Sequence, residues 1–360
     1  MIEFSQRNSR IWSRLGPSGA LGVAALELAK RNASVLMLTA DLCFFSGLER
    51  FKNEYPDRIY NFGIAEQNMI GAAGGLAKEG FLPFATTYAS FAASRCADQV
   101  RVNMSYMKLP IKLIGLTAGL AAGILGATHM SLEDEAWMCA LPNITVISPA
   151  DGMEIVKCML AVSETNEPTY IRLTGTMDAS IVYREDYPYE IGKAVRLETG
   201  EDICIIAAGS MVSESLKAAK LLKEEGISCT VFNMHTIKPL DSSVIERARK
   251  EYSMIVVVEE HSVNGGLGSA VARYLAKENR HPPLLNIGIP DFFPHAGDYN
   301  YQLEQCGLTA VQIKNKIFQF GKENKIHRKY SGGVILKLIG RIQKNWLFSN
   351  KNWEETRYAV

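Results

Sequence analysis

The chain has 360 residues, of which 47% are apolar and 21% are charged, so it can bury the cores of two ordinary domains. Its net charge of +1 gives no overall positive field that would attract nucleic acid, and no DNA- or RNA-reading motif is present. Its seven cysteines are scattered without a Cys-x-x-Cys pair, which is typical of reduced thiols in a cytoplasmic protein. The first residues, Met1 to Arg14, lack the apolar run of a secretory signal, so we expect a cytoplasmic location.

Short β-branched and aliphatic runs alternate with helix-length amphipathic segments along the first half of the chain. This pattern is typical of parallel strands joined by crossover helices. Strands are predicted at residues 34–38, 58–62, 82–86, 111–116, 144–147 and 169–173. The sequence therefore predicts an α/β fold whose first doubly wound domain covers residues 1–185.

Two helix starts and one glycine-rich segment are distinctive within this domain. Ser131 followed by Asp134 predicts a capping box, and Asp151 predicts the start of a helix that runs to about Val162. The uncharged segment 113–127 is too short for a membrane-spanning helix, which needs about 20 residues. Because its glycines disfavour any helix, we expect a strand followed by a loop.

A polar segment, residues 176–192, predicts a linker to a second domain. Beyond it, strands are predicted at 202–208, 229–233, 254–259 and 284–287, and helices near 213–225, 267–278 and 310–320. These elements predict a second doubly wound domain over residues 190–320. The basic amphipathic tail, residues 321–360, could dock on a partner protein or lie on an anionic membrane surface, and we expect docking.

The segment Arg58–Ala77 brings an acidic residue to the end of a predicted strand. Gly63-Ile64-Ala65-Glu66-Gln67-Asn68 leads from that strand into a helix of small residues. Ligands of open α/β sheets bind at the carboxyl ends of strands, which favours a functional Glu66. A first-turn acid is also stabilised by the helix dipole alone, so its position leaves both interpretations open.

This segment, with Thr39-Ala40-Asp41-Leu42 before it and Gly126-Ala127-Thr128-His129 after it, resembles the transketolase family. The resemblance covers roughly residues 15–320 and is to the carboxyl-terminal half of that family. It implies a thiamine-diphosphate-binding pyrimidine domain followed by a transketolase C-terminal-like domain. The Arg58–Asn68 motif is most similar to the split, two-gene versions of the enzyme.

The resemblance also implies residues that bind the thiamine diphosphate. Glu66 corresponds to the glutamate that hydrogen-bonds N1′ of the aminopyrimidine and promotes the imino tautomer that activates the cofactor. Asp41 corresponds to an acidic residue near the cationic thiazolium, although a loop-capping role is the alternative. Phe84, Tyr88 and Phe91 correspond to the aromatic slot on which the aminopyrimidine stacks, although their spacing is also typical of a core.

The substrate pocket implied by the resemblance contains His129, which would hydrogen-bond carbonyl or hydroxyl oxygens of the substrate. Transketolases of sugar phosphates have an Asp four residues before this histidine and a second His twelve before it, where this chain has Leu125 and Thr117. Gly175 and, in a looser alignment, Ser18 stand where phosphate-binding arginines are expected. We therefore expect a substrate other than a standard ketose phosphate, such as pyruvate or a deoxyketose, unless a partner supplies the arginines.

The diphosphate-binding motif of the family, Gly-Asp-Gly followed by a distant Asn, has no correctly spaced counterpart in this sequence. We therefore expect a separate diphosphate-binding subunit that holds Mg²⁺, an α2β2 heterotetramer, and no metal bound by this chain alone. The expected activity is transfer of a two-carbon ketol or acetyl-type unit to a carbonyl acceptor. The alternatives are a β-type subunit of a 2-oxo acid decarboxylating or dehydrogenase complex and a non-catalytic regulatory paralogue.

Overall fold

The structure is a computed structural model, and it describes residues 2–324 and residue 326. Within these residues, the α-helices are α1 (Gln6–Arg31), α2 (Glu49–Glu54), α3 (Glu66–Lys78), α4 (Ala97–Gln99), α5 (Asp134–Ala140), α6 (Gly152–Ser163), α7 (Met211–Glu224), α8 (Ser242–Glu251), α9 (Leu267–Leu275), α10 (Tyr299–Cys306) and α11 (Ala310–Glu323). Two π-helical turns, Phe91–Arg95 and Val100–Tyr106, flank α4. Short 3₁₀ turns occur at Pro56–Arg58 and Gly123–Leu125.

The strands form two sheets. They are β1 (Val35–Thr39), β2 (Ile59–Asn61), β3 (Leu82–Tyr88), β4 (Lys112–Leu116), β5 (Thr145–Ile147), β6 (Thr169–Arg172), β7 (Val195–Glu198), β8 (Ile203–Ala207), β9 (Cys229–Asn233), β10 (Thr236–Lys238), β11 (Met254–Ser262) and β12 (Leu284–Ile289). The first sheet has the order β10-β5-β6-β4-β3-β1-β2, and the second has the order β12-β11-β8-β9-β7. Every pairing is parallel except β10 with β5 and β7 with β9.

Helices cover both faces of the first sheet, as the doubly wound prediction requires. The helices α1 and α6 pack together on one face, where Leu21, Met37 and Val156 belong to one core. The helix α3 and the π-helical segments cover the other face, where Met69 and Met104 belong to a second core that continues into the second sheet. The predicted α/β fold is therefore confirmed.

Most elements expected from the sequence are present, and Asp151 caps α6 by accepting a hydrogen bond from the Glu154 amide. The strands β7 and β10 were not predicted. The predicted capping box at Ser131 was wrong, because Glu133 is the N-cap of α5 and the Asp134 carboxylate accepts hydrogen bonds from distant side chains instead.

The domain limits expected at residues 185 and 190 stay a prediction. Residues 176–192 contain no helix or strand, but β10 crosses back to extend the first sheet, and residues 1–324 form one compact unit. Within residues 2–324, no helix has both the length and the apolarity that crossing a bilayer requires. The predicted amphipathic helix of the tail lies outside the described residues.

Candidate active site

The predicted site residues follow neighbouring strands of the first sheet. The strands β4, β3, β1 and β2 lie side by side and parallel, so their carboxyl ends meet at one edge of the sheet. Asp41 follows β1, Glu66 follows β2, and Phe91 follows β3. The loop that carries His129 follows β4. This edge is where open α/β sheets bind their ligands.

Glu66 begins α3 and is only 2% exposed. Its Oε1 accepts a hydrogen bond of 2.7 Å from Nη1 of Arg95. Its Oε2 is also buried and has no hydrogen-bond partner within residues 2–324. A contact with the helix dipole does not require burial of the side chain, and leaving a buried carboxylate oxygen unpaired is costly. Glu66 is therefore suited to hydrogen-bond a ligand.

An aromatic cluster lies next to this carboxylate. The ring centroids of Tyr88 and Phe91 are 5.9 Å apart, and the His129 ring is 5.6 Å from Tyr88 and 5.3 Å from Phe91. The three rings meet edge to face at angles between 65° and 79°. Arg95 completes the cluster, because its guanidinium lies 3.7 Å from the Phe91 centroid while it binds Glu66. The cluster thus combines a flat apolar surface with a buried acid.

Phe84 does not belong to this cluster. It lies four residues before Tyr88 on β3, is fully buried and packs in the core with Met37 and Leu82. Its ring therefore has no exposed face on which a ligand could stack, and its assignment to the aromatic slot was wrong. Period-two alternation points Phe84 and Tyr88 to the same face of the sheet, but only Tyr88 is at the strand end.

The loop between β4 and α5 carries the predicted substrate-pocket residues. Nδ1 of His129 lies 3.0 Å from the Thr128 hydroxyl. When that hydroxyl donates, Nε2 carries the ring proton and can donate to a ligand oxygen. Leu125 is 52% exposed at the end of the 3₁₀ turn, and Thr117 starts the loop in the left-handed region with φ of 49°.

This loop is anchored to the second sheet by Glu260. Its buried Oε1 accepts a hydrogen bond of 2.7 Å from the Leu120 amide, and its Oε2 accepts from the hydroxyls of Ser210 and Tyr299. Burial raises the pKa of Glu260. Gly119, with φ of 65°, packs so closely that a Cβ there would collide with Oε1 of Glu260. The position of the His129 loop therefore depends on the second sheet.

A buried ion pair lies under the same loop. Nε of Arg172 donates to both carboxylate oxygens of Asp134 at 3.1 and 2.9 Å, and Tyr170 donates its hydroxyl to Oδ2 at 2.7 Å. Nη2 of Arg172 donates to the Glu260 carbonyl oxygen at 2.8 Å. The pair therefore joins α5 and the first sheet to β11 of the second sheet.

Asp41 is exposed and has a left-handed backbone with φ of 60°. The Asn61 amide group is its partner, because Oδ1 of Asn61 accepts from the Asp41 amide at 3.0 Å and Nδ2 donates to Oδ1 of Asp41 at 3.3 Å. Oδ1 of Asn61 also accepts from the Gly63 amide. Asn61 thus links the loops after β1 and β2, and most of the Asp41 carboxylate stays accessible to a ligand.

The two positions expected to bind phosphate contain no cation. Gly175 has φ of 81° and lies beside Ser210, and Ser18 is a half-buried residue of α1 whose carbonyl oxygen packs against Gly47. Within residues 2–324, no three His, Cys, Asp or Glu side chains are grouped to hold a metal ion.

Sequence reasoning missed two residues of the site. Arg95 follows Phe91 by four residues on a helical turn. This spacing could have placed its side chain near Phe91 from the sequence alone. Asn61 pairs with Thr39 in the β1–β2 register, so the adjacent parallel strands predict that it lies near Asp41.

Comparison with known proteins identifies the family. Residues 17–176 match the pyrimidine-binding domain of transketolase, and residues 192–313 match the transketolase C-terminal domain. The chain belongs to the transketolase family. Transketolases use thiamine diphosphate. An unpaired buried carboxylate oxygen on Glu66 and an aromatic ring at Phe91, both at the site of Arg95, fit an aminopyrimidine.

Relatives of similar length are transketolase sections or subunits. A putative transketolase C-terminal section from Methanocaldococcus jannaschii is 39% identical over 300 residues, 83% of this chain and 94% of that protein. The 6-deoxy-6-sulfo-D-fructose transketolase subunit SqwH from Clostridium sp. is 38% identical over 288 residues, 80% of this chain and 89% of the relative. A subunit of the apulose-4-phosphate transketolase from Phocaeicola vulgatus is 36% identical over 298 residues, with 83% of this chain and 95% of the relative covered.

A solved structure supports the same classification. The structure of a split gene transketolase, described as an inactive β4 tetramer, superposes on this chain with a TM-score of 0.78. It is 37% identical, and the match covers 84% of this chain and 97% of the other. The predicted resemblance to the carboxyl-terminal half of split transketolases is therefore confirmed.

Proposed function

We propose that this chain is the pyrimidine-binding subunit of a split, thiamine-diphosphate-dependent transketolase that transfers a two-carbon unit to a carbonyl acceptor. The observation that carries the proposal is Glu66, whose carboxylate is buried at the strand edge with one oxygen unpaired within residues 2–324. A non-catalytic paralogue would gain nothing from this costly arrangement. The similarity to transketolase sections and subunits favours this activity over that of a 2-oxo acid dehydrogenase subunit.

Glu66 would act on the aminopyrimidine end of the cofactor. When bound, thiamine diphosphate supplies a carbon nucleophile that adds to the carbonyl carbon of the donor. The Glu66 carboxyl group would hydrogen-bond N1′ and move the proton that controls the tautomer of the ring. The flat faces of Tyr88 and Phe91 would orient that ring, and the accessible carboxylate of Asp41 would stabilise the cationic thiazolium.

His129 would act on the substrate. Its Nδ1 is matched to the Thr128 hydroxyl, which leaves Nε2 to donate to a carbonyl or hydroxyl oxygen of the donor or acceptor. The hydrogen bond from the Leu120 amide to Glu260 anchors the start of the loop, which would help to position the imidazole before a substrate arrives.

A separate subunit would complete the cofactor site. The Gly-Asp-Gly motif that binds Mg²⁺ and the diphosphate is missing from this sequence. The loops beside the site expose three large apolar side chains, Phe44 at 67%, Phe45 at 58% and Ile64 at 77%. Exposed apolar side chains grouped around a site are typical of a protein interface. We propose that the Mg²⁺-diphosphate-binding subunit docks here and that the enzyme is an α2β2 hetero-oligomer.

The substrate would differ from a standard ketose phosphate. Leu125 offers apolar contact where a hydrogen-bonding Asp is expected, and Thr117 and Gly175 bring no positive charge. A donor with a methyl or deoxy carbon suits this pocket, because its missing hydroxyl leaves no polar group unpaired. Two relatives are named for 6-deoxy-6-sulfo-D-fructose and for apulose 4-phosphate, and these names support a substrate other than a standard ketose phosphate. Arginines of the partner subunit would be the source of any phosphate recognition.

The proposal is tested by copurifying this chain with an N-terminal transketolase-like subunit encoded by an adjacent gene. We expect thiamine diphosphate and Mg²⁺ to bind tightly only to the mixture, and turnover to need both chains. Xylulose 5-phosphate is then compared with pyruvate as donor, against a panel of free and nucleotide-linked aldose acceptors. Tight cofactor binding by this chain alone would contradict the partner requirement, and efficient transfer from xylulose 5-phosphate to ribose 5-phosphate would contradict the substrate proposal.

A further inference from the structure

The guanidinium of Arg95 lies across the proposed pyrimidine site. It donates to Oε1 of Glu66 at 2.7 Å, and its central carbon lies 3.7 Å from the Phe91 ring centroid. These are the two groups that would hold the aminopyrimidine, one through a hydrogen bond and the other through its ring face. Arg95 therefore makes both contacts that the cofactor would need.

The guanidinium is chemically suited to this double contact. It is planar, carries N–H donors in that plane, stacks on aromatic faces and pairs with carboxylates. An aminopyrimidine whose ring nitrogen faces a carboxyl group shares the planar shape and the hydrogen-bonded edge. Lysine could pair with Glu66, but its ammonium has no flat face to lie on Phe91.

We propose that Arg95 is a placeholder for the aminopyrimidine of thiamine diphosphate, which must displace this guanidinium from the face of Phe91 to bind. The inference rests on the proposed function. Before the cofactor binds, Arg95 would keep Oε1 of Glu66 paired and the face of Phe91 covered. It would also lower the affinity for a lone pyrimidine, so that tight binding needs the diphosphate contacts of the second subunit.

The contacts of Arg95 allow this movement. Its side chain is 41% exposed, and Glu66 accepts its only side-chain hydrogen bond within residues 2–324. Its carbonyl oxygen accepts a hydrogen bond of 3.1 Å from the Gln67 side chain. A rotation of the side chain can therefore release Glu66 and Phe91 while the backbone stays in place. A partly exposed ion pair of this kind is weak enough for a ligand to replace.

Calorimetric titration of thiamine diphosphate into the copurified pair, with Mg²⁺ present, tests the proposal. Arg95→Met keeps an unbranched apolar stem over Phe91 and removes the competing donors. We expect it to lower the Kd for thiamine diphosphate by about 3- to 10-fold, the combined worth of a partly exposed ion pair and a cation–π contact. Arg95→Lys should give an intermediate Kd, because it keeps the charge and loses the stacking.

The matched control is Arg101→Met, which removes an exposed arginine from the next π-helical turn that has no ion pair within residues 2–324. Its Kd should equal that of the wild type. If Arg95→Met has a Kd for thiamine diphosphate that is equal to or higher than that of the wild type, and the pair melts at the wild-type temperature, the placeholder proposal is overturned. The proposed function is unaffected by that result. If Arg95→Met does not assemble, Arg95→Lys decides by the same criterion. Failure of the wild-type pair to bind thiamine diphosphate overturns both proposals.

Discussion

Replacing Arg172 with Met would measure how much the buried ion pair beneath the His129 loop contributes to stability. The Arg172 and Asp134 side chains are 2% and 0% exposed. The substitution leaves Tyr170 as the one remaining side-chain donor to Asp134 within residues 2–324, and the Glu260 carbonyl oxygen loses its bond of 2.8 Å. Breaking a buried pair costs about 3–5 kcal/mol. For a folded unit of this size, that cost corresponds to a fall in Tm of roughly 4–7 °C.

Thermal and urea unfolding of the full chain, followed by far-UV circular dichroism, would measure this cost. Arg196→Met is the matched control, because Arg196 is exposed and has no ion pair within residues 2–324, and it should change the free energy of unfolding by less than about 0.5 kcal/mol. The double variant Asp134→Asn with Arg172→Met removes both charges, so it should lose less stability than the sum of the single variants. A cost for Arg172→Met below about 1 kcal/mol would refute the reasoning from buried charge.

The pH dependence gives a second test of the same pair. Burial would raise the pKa of Asp134, but Arg172, with His261 and Tyr170, holds that pKa below its usual range. The stabilisation from Asp134 is therefore present above the pKa of the unfolded carboxyl group and is lost as the pH falls through the lower folded pKa. Without Arg172, we expect burial to raise the folded pKa of Asp134 above the unfolded one. Lowering the pH from about 7 to 5 should then stabilise Arg172→Met relative to the wild type.

Three further predictions concern catalysis, pH and assembly. Glu66→Gln in the copurified pair should lower turnover by about 10² to 10⁴-fold with unchanged assembly, measured by steady-state kinetics, and near-normal turnover would remove Glu66 from the mechanism. Burial and the nearby Glu135 raise the pKa of Glu259 to about 8, so its stabilising effect is lost as the pH rises towards 8. When urea unfolding is measured between pH 5 and 8, the free energy of unfolding should fall less steeply with pH for Glu259→Gln than for the wild type. Equal pH dependence in the two proteins would exclude a contribution of Glu259. Deleting residues 326–360 should weaken assembly with the partner without changing liposome binding, and no change in assembly would exclude docking.

The sequence alone determined the order of most elements and the strand ends at which the candidate site residues lie. Alternating apolar runs define which segments are strands, and parallel strands bring their carboxyl ends to one edge. For that reason the motifs alone suffice to group Asp41, Glu66, Tyr88 and His129 at one site. The spacing of residues within each motif depends only on the local sequence, so it can be used before the fold is known.

Tertiary structure decided the contacts between residues that are far apart in the chain. Arg95 reaches Glu66 across 29 residues, and Leu120 reaches Glu260 across 140. Neither pair has a spacing that helical or strand periodicity could reveal, because each depends on how whole elements pack. For Phe84 the sequence left both a stacking role and a core role open, and only the packing of whole elements showed that its ring is buried in the core.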